Sequence, residues 1–222
     1  MIESRQYICG IALAMALCGT AFTATAQNEY WHQKVSLFEI LPIKSTDIVF
    51  LGNSITDGGE FAEIFDDDRI KNRGISADVI SGVSKRLDQV TSGHPSKIFL
   101  LIGINDISHG LTVDKLAEKY SGLVEEIRKK SPESKLYIQS VMPVDNSYGR
   151  YKNLKGKENV IKRLNEKIRT IAQENGAVYI DLWPALADKS GRLRKGFTND
   201  GLHLTGKGYK AWTELIRPYV SE

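Results

Sequence analysis

The 222-residue chain carries 30 basic and 27 acidic side chains, a net charge of +3, 41% apolar and 9% aromatic content. That balance fits a globular chain able to bury its own core, and it excludes a disordered, collagen-like or disulfide-framework protein. The small net charge, with no dense Lys/Arg stripe interleaved by aromatics, argues against nucleic acid as a partner. Four histidines and two cysteines leave little material for a metal site.

Residues Gln6–Asn28 are uncharged and follow Arg5; an apolar centre, Ile8–Phe22, runs into the small residues Ala24-Thr25-Ala26. This is the order of a secretory signal peptide, residues 1–26, with cleavage expected after Ala26 and a periplasmic or secreted location. A membrane anchor is the alternative, but the apolar run falls short of the roughly 20 residues that span a bilayer. No stable membrane insertion is therefore expected after cleavage. Lipidation at Cys18 is disfavoured because Leu17 stands where a small residue normally precedes such a cysteine. Cleavage would remove Cys9 and Cys18, and with them any disulfide or thiol nucleophile. No linker or repeat divides the remainder, so one domain, residues 27–222, is expected.

From residue 47 onward, short apolar runs alternate with amphipathic stretches. Buried strands are predicted at Asp47–Leu51, weakly at Ile70–Asn72, and at Lys97–Ile102, Lys135–Val141 and Ala177–Leu182. Helices are predicted at Ala77–Thr91, Val113–Lys130, Glu158–Asn175 and Gly206–Val220. In the second of these, Leu116, Tyr120, Leu123, Val124 and Ile127 share one face. Strands alternating with helices of this length predict βαβ units and a mainly parallel sheet covered on both faces. Ligand crevices in such α/β sheets lie beyond the carboxyl ends of the strands, so those ends are where chemistry is expected.

The first strand runs into Gly52-Asn53-Ser54-Ile55-Thr56-Asp57-Gly58, which would hold Ser54 exposed on a tight turn. The second is followed by Asn72-Arg73-Gly74-Ile75, where Gly74 can bring a backbone N–H close to a ligand. After the third comes Gly103-Ile104-Asn105-Asp106, whose Asn105 amide can donate to an oxyanion. The fourth ends in a polar loop, Asp145–Lys157, to which only a part in shaping the pocket is given. Past the fifth lies Asn199-Asp200-Gly201-Leu202-His203, where Asp200 can fold back onto His203 Nδ1 and leave Nε2 as a base. Each piece alone has an ordinary alternative: an N-cap serine, a loop glycine, a turn asparagine, a capping aspartate beside a surface histidine. Together they supply a nucleophile, a base, an orienting carboxylate and oxyanion donors at one end of the sheet, the set needed for acyl transfer through a serine ester.

Four blocks, Phe50–Asp57, Asn72–Ile75, Gly103–Asp106 and Asp200–His203, resemble those of the SGNH hydrolases, the GDSL esterase/lipase superfamily. The nearest branch resembles platelet-activating-factor acetylhydrolase subunits and bacterial carbohydrate acetylesterases. The resemblance implies a flavodoxin-like three-layer sandwich around a five-stranded parallel sheet. It implies Ser54 as nucleophile, His203 as base and Asp200 as its partner. It also implies an oxyanion hole from the N–H groups of Ser54 and Gly74 and the Asn105 amide. One departure is that the usual Gly-Asp-Ser reads Gly-Asn-Ser, so the turn at Asn53 lacks a charge. An α/β-hydrolase elbow is excluded, because Thr56 stands where a glycine is required.

No phosphate-binding glycine loop, metal-ligand spacing or redox cysteine pair is present, and no cofactor or metal is expected. His32, His94 and His109 are too scattered for zinc; His109, near Asn105, can border the pocket or lie on the surface. Trp183 and Trp212 read as packing residues, with Trp183 a further candidate to line a sugar site. The leading expectation is a serine esterase removing short acyl groups, acetyl foremost, from carbohydrates such as sialate or polysaccharide. A lysophospholipase or thioesterase, and a non-catalytic carbohydrate-binding protein on a hydrolase fold, are the alternatives.

Overall fold

In the computed structural model, which describes residues 29–222, five strands form one parallel sheet. They are β1 (Ile48–Gly52), β2 (Ile70–Gly74), β3 (Lys97–Leu101), β4 (Lys135–Gln139) and β5 (Val178–Ile180), ordered β2-β1-β3-β4-β5. Every residue of β1 and β3 is buried, as expected of central strands covered on both faces. The order is the flavodoxin-like one, with its switch point between β1 and β3. The expected leader, residues 1–26, lies outside the described residues.

Register builds one side of the core. Phe50 pairs with Phe99, and Phe99 with Tyr137, and their rings stack at centroid distances of 4.9 and 4.5 Å. Phe61 of α3 (Phe61–Phe65) stacks on Phe50 at 4.2 Å, and Trp212 of α10 (Gly206–Ser221) meets Phe61 edge-on at 5.1 Å. The Trp212 indole N–H donates to Gln139 Oε1 at 2.6 Å, so this buried ring keeps its polar atom satisfied. The other face is covered by α7 (Val113–Lys130) and α8 (Glu158–Glu174), whose apolar stripes include Leu116, Leu123, Ile127, Ile161, Leu164 and Ile168.

Two predicted elements differ. The stretch 77–91 is not one helix but α4 (Ile80–Lys85) and α5 (Asp88–Thr91). Ala77 has φ +63° and Val79 is extended, so the start is a loop. Arg86 leaves helical geometry (φ −113°) while its guanidinium reaches Asp78 and Gly52 O. The second difference is a helix at residues 29–39, α1, which the strand-and-helix reading from residue 47 did not include. Only Phe38 of it is buried, so its apolar residues mark no strong face.

Candidate active site

β1 delivers Ser54 to the switch point through a turn with no spare room. A Cβ on Gly52 would sit 2.3 Å from both Leu101 O and Thr56 Oγ1, so only glycine fits. Asn53 is extended and caps the short helix α2 (Ser54–Asp57), its Oδ1 accepting the Ile55 N–H at 3.0 Å. A neutral amide does the capping here, so the departure from Gly-Asp-Ser leaves the turn intact. Ser54 is the first residue of α2, partly exposed.

The loop after β5 brings the other two predicted residues to it. Thr198 and Leu204 form an isolated bridge that closes the loop, and Gly201 adopts φ +92° at its tip. A side chain on Gly201 would strike Asp145 O at 2.2 Å. Asp200 Oδ1 accepts the backbone N–H groups of Leu202 (2.9 Å) and His203 (2.8 Å). Its Oδ2 lies 2.8 Å from His203 Nδ1, and His203 Nε2 lies 2.9 Å from Ser54 Oγ. With Nδ1–H given to the carboxylate, Nε2 is the lone-pair nitrogen facing the serine hydroxyl. Burial pushes the Asp200 carboxyl up, but the hydrogen bonds from His203, Leu202 and Tyr151 outweigh it and hold Asp200 well below the usual carboxylate range.

Tyr151 is the residue that sequence reasoning missed. Its hydroxyl donates to Asp200 Oδ2 at 2.9 Å and sits 3.0 Å from His203 Nδ1. Burial, with the bond to Asp200 next, pushes its phenol up to about 12. It comes from the polar loop after β4, whose only signal was its place at a strand end.

Asn105 stands at the start of α6 (Ile104–Ser108), turned there by Gly103 at φ +123°. Its Nδ2 donates to Asp78 O at 2.8 Å, which fixes the amide and leaves its second hydrogen free. Gly74 does not join it. The Gly74 N–H is held by Asn72 Oδ1 at 2.8 Å, and its Cα is pressed against the Thr56–Asp57 backbone. Gly74 therefore serves close packing of β2 on α2. The backbone that reaches the cleft is three residues on: Ala77 lines it beside Ser54 and Asn105. Among the described residues, the N–H groups of Ala77 and Ser54 meet no acceptor. The positive φ of Ala77 (+63°) is a conformation usually given to glycine.

Buried acids hold these loops. Asp78 accepts from Arg86 Nε at 2.8 Å, with both side chains shielded from solvent, and Arg86 also donates to Gly52 O at 3.1 Å. Asp106 accepts the Ile80 N–H through both oxygens. Asp57 binds Lys34 and Tyr30 of α1 and the Ser76 N–H. The resulting cleft, of about 470 Å³, is lined by Ser54, Ala77, Asn105 and His203 together with Arg150, Tyr151 and Lys152. Trp183 lies elsewhere, its indole donating to Val141 O beneath Lys162. His109 borders a second groove that adjoins the cleft.

A serine–histidine–carboxylate line at the carboxyl edge of a flavodoxin-like sheet, in a cleft that Asn105 and Ala77 also line, is the arrangement of a serine acylhydrolase site. Residues 50–211 match the GDSL-like lipase/acylhydrolase family. The chain belongs to that family and is an ester-hydrolysing enzyme. A Streptococcus pneumonia protein assigned as a platelet activating factor superposes with a TM-score of 0.81 at 26% identity, over 94% of this chain and 99% of that one. A GDSL-like lipase from Bacteroides thetaiotaomicron VPI-5482 (TM-score 0.74, 22% identity, 86% of this chain and 97% of that one) shares the fold. So does an acetyl-xylooligosaccharide esterase from Geobacillus Stearmophilus (0.63, 16%, 81% and 96%). In sequence, the chain is 30% identical over 183 residues to the N-acylneuraminate cytidylyltransferase of Escherichia coli O18:K1:H7. That match takes in 79% of this chain and 40% of the relative's length.

Proposed function

We propose that this enzyme removes acetyl groups from hydroxyls of acidic sugars, with O-acetylated sialic acids as the first class to examine. One observation carries the reading: the Ser54–His203–Asp200 line shares its cleft with Arg150 and Lys152. Two cations lining the cleft of the reacting serine suit an acceptor that bears a carboxylate. The name of the Escherichia coli relative, which this chain matches in part, concerns N-acylneuraminate, a sugar acid. Acetyl is favoured over a long acyl chain because the cleft around Ser54 is lined mostly by polar side chains, among them Ser76, Asn105, Ser108 and Asn153.

The chemistry follows from the distances. Ser54 Oγ attacks the ester carbonyl as its proton passes to His203 Nε2, and Asp200 stabilises the imidazolium. The carbonyl oxygen, now an anion, is received by the N–H groups of Ser54 and Ala77 and the free Asn105 amide hydrogen. Collapse breaks the bond to the sugar oxygen, which takes the proton from His203. Water then attacks the acetyl carbonyl as its proton passes to His203, and collapse breaks the bond to Ser54 Oγ, which takes that proton back as acetate leaves.

The uncharged leader-like segment and its small-residue end support a periplasmic or secreted location, for which the mature chain would begin at Gln27. N-terminal sequencing of the exported protein tests this.

The activity test is a panel of nitrophenyl acetate, butyrate and octanoate beside acetylated sialic acid and acetylated neutral sugars. Expected are turnover falling with chain length, a lower KM for the anionic sugar, and loss of both turnover and fluorophosphonate labelling in Ser54→Ala. Replacing Arg150 and Lys152 by alanine should raise KM for the sialate ester more than for the neutral one. Preference for octanoate would return the enzyme to the lipase class, and equal KM values would remove the acidic-sugar assignment.

A further inference from the structure

We propose that the groove walled by Trp31 of α1 is a second sugar subsite, so that the acceptor is an oligosaccharide rather than a free monosaccharide. The proposal rests on the carbohydrate-esterase reading and extends it to a groove that Ser54, His203 and Asp200 do not line.

The groove, of about 450 Å³, adjoins the catalytic cleft, and the two share Ser76 and Ala77 as a common wall. Each falls in the size range of ligand sites. Because Ala77 also lines the cleft with Ser54 and Asn105, a chain crossing that wall passes beside the reacting carbonyl. A neighbouring sugar on the same glycan is what such continuity fits.

The chemistry of the groove is that of a sugar platform. Trp31 is partly buried, and its indole N–H is committed to Asp78 Oδ1 at 3.2 Å. Asp78 in turn is held by Arg86. The ring is therefore locked by its polar atom and offers its apolar surface, which suits the C–H face of a pyranose. His32, Ser81, Lys85 and His109 line the groove with hydrogen-bonding groups for ring hydroxyls. A long acyl chain would find polar side chains there.

The platform is preformed. Tyr30 and Lys34 bind Asp57, and Gln89 Nε2 donates to Val35 O at 2.8 Å. Arg73 donates to Leu41 O at 2.9 Å, just past the helix end. Four separate contacts thus fix α1 and the residues just after it against α2, β2 and α5.

The test compares monomer, dimer and trimer in two series, O-acetylated sialic acids and O-acetylated xylo-oligosaccharides, with nitrophenyl acetate as reference. In one series or both, kcat/KM should rise at least tenfold from monomer to trimer, chiefly through KM, a factor that corresponds to about 1.4 kcal/mol. Trp31→Ala should abolish that rise, read as the ratio of trimer to nitrophenyl acetate activity. Should Trp31→Ala fail to fold, the double variant His32→Ala/His109→Ala should shrink the same ratio severalfold. No rise in either series, or a rise that survives these substitutions, overturns the subsite. Inactivity on nitrophenyl acetate would instead count against the esterase reading. Calorimetric binding of the deacetylated trimers to the Ser54→Ala protein then still reports on the groove. A Kd at least tenfold below the monomer's, lost with Trp31→Ala, supports the subsite; equal values overturn it.

Discussion

Asn105 spends one amide hydrogen on Asp78 O, and the proposed mechanism uses the other as an oxyanion donor, which would separate positioning from catalysis within one side chain. Removing such an oxyanion donor costs about 2.7–4 kcal/mol of transition-state stabilisation, or roughly 100- to 1,000-fold in kcat. Asn105→Ala should lose that much with little change in KM; a change confined to KM would make it a binding residue. Tyr151 acts differently, because its hydroxyl adds a donor to a carboxylate that already holds four, from Thr198, Leu202 and the backbone and ring of His203. Tyr151→Phe should cost turnover far less than Asp200→Asn, for which the loss can approach about 10⁴-fold. It should also raise KM for anionic esters, because Arg150 and Lys152 flank the freed residue. Kinetics on matched neutral and anionic acetates separate these effects. Ser54, Asn105, Asp200 and His203 were legible because each follows a strand within a recognisable block. Ala77 was not: the glycine nearby drew the expectation, and an alanine at positive φ leaves no trace in sequence. Tyr151 was hidden because its partner, Asp200, lies 49 residues further along the chain.

At the scale of elements, the Asp78–Arg86 pair joins three pieces that must stay in register: the end of β1 through Gly52 O, the Ala77–Val79 loop, and the break between α4 and α5. Breaking a buried pair from one side strands the other charge and typically costs about 3–5 kcal/mol. Asp78→Asn should lower stability by that order in denaturant titration. It should also lower kcat, since the loop that anchors Asn105 would slacken. A loss under about 1 kcal/mol would mean that water replaces the partner. The two long helices α7 and α8 were legible from their apolar period, as were the strands to within a residue or two. The break at Arg86 was not, because it is set by a tertiary ion pair rather than by a glycine or proline. Helix α1 escaped for the opposite reason, as its contacts to the body are mostly polar.

Across the whole molecule, six of the nine tyrosines, Tyr30, Tyr120, Tyr137, Tyr151, Tyr179 and Tyr209, have phenols pushed up, chiefly by burial. Tyr30 and Tyr151 reach about 12. A group raised in the folded state contributes fully below its unfolded value, near 10, and that contribution is lost as pH climbs through the folded value. The unfolded chain releases its phenolic protons first, so stability should fall from about pH 10 upward. Denaturant midpoints at pH 8, 10 and 11 should decline, with tyrosinate absorbance lagging that of free tyrosine; a flat midpoint would show the rings to be wet. Sheet order was legible at this scale, since alternating strands and helices with ligand residues at strand ends leave few topologies. How α1 packs on Asp57 and closes one wall of the adjoining groove was not. That closure has a thermal side. Phe38 is the only buried residue of α1, while Leu37, Ile40 and Leu41 on and beside it remain exposed. A piece held this way has an opening equilibrium of its own, below the free energy of global unfolding. On warming, the enzyme should therefore pass through a state with an intact sheet and an undocked first helix. Turnover would fade before the circular dichroism melt begins, and would return on cooling.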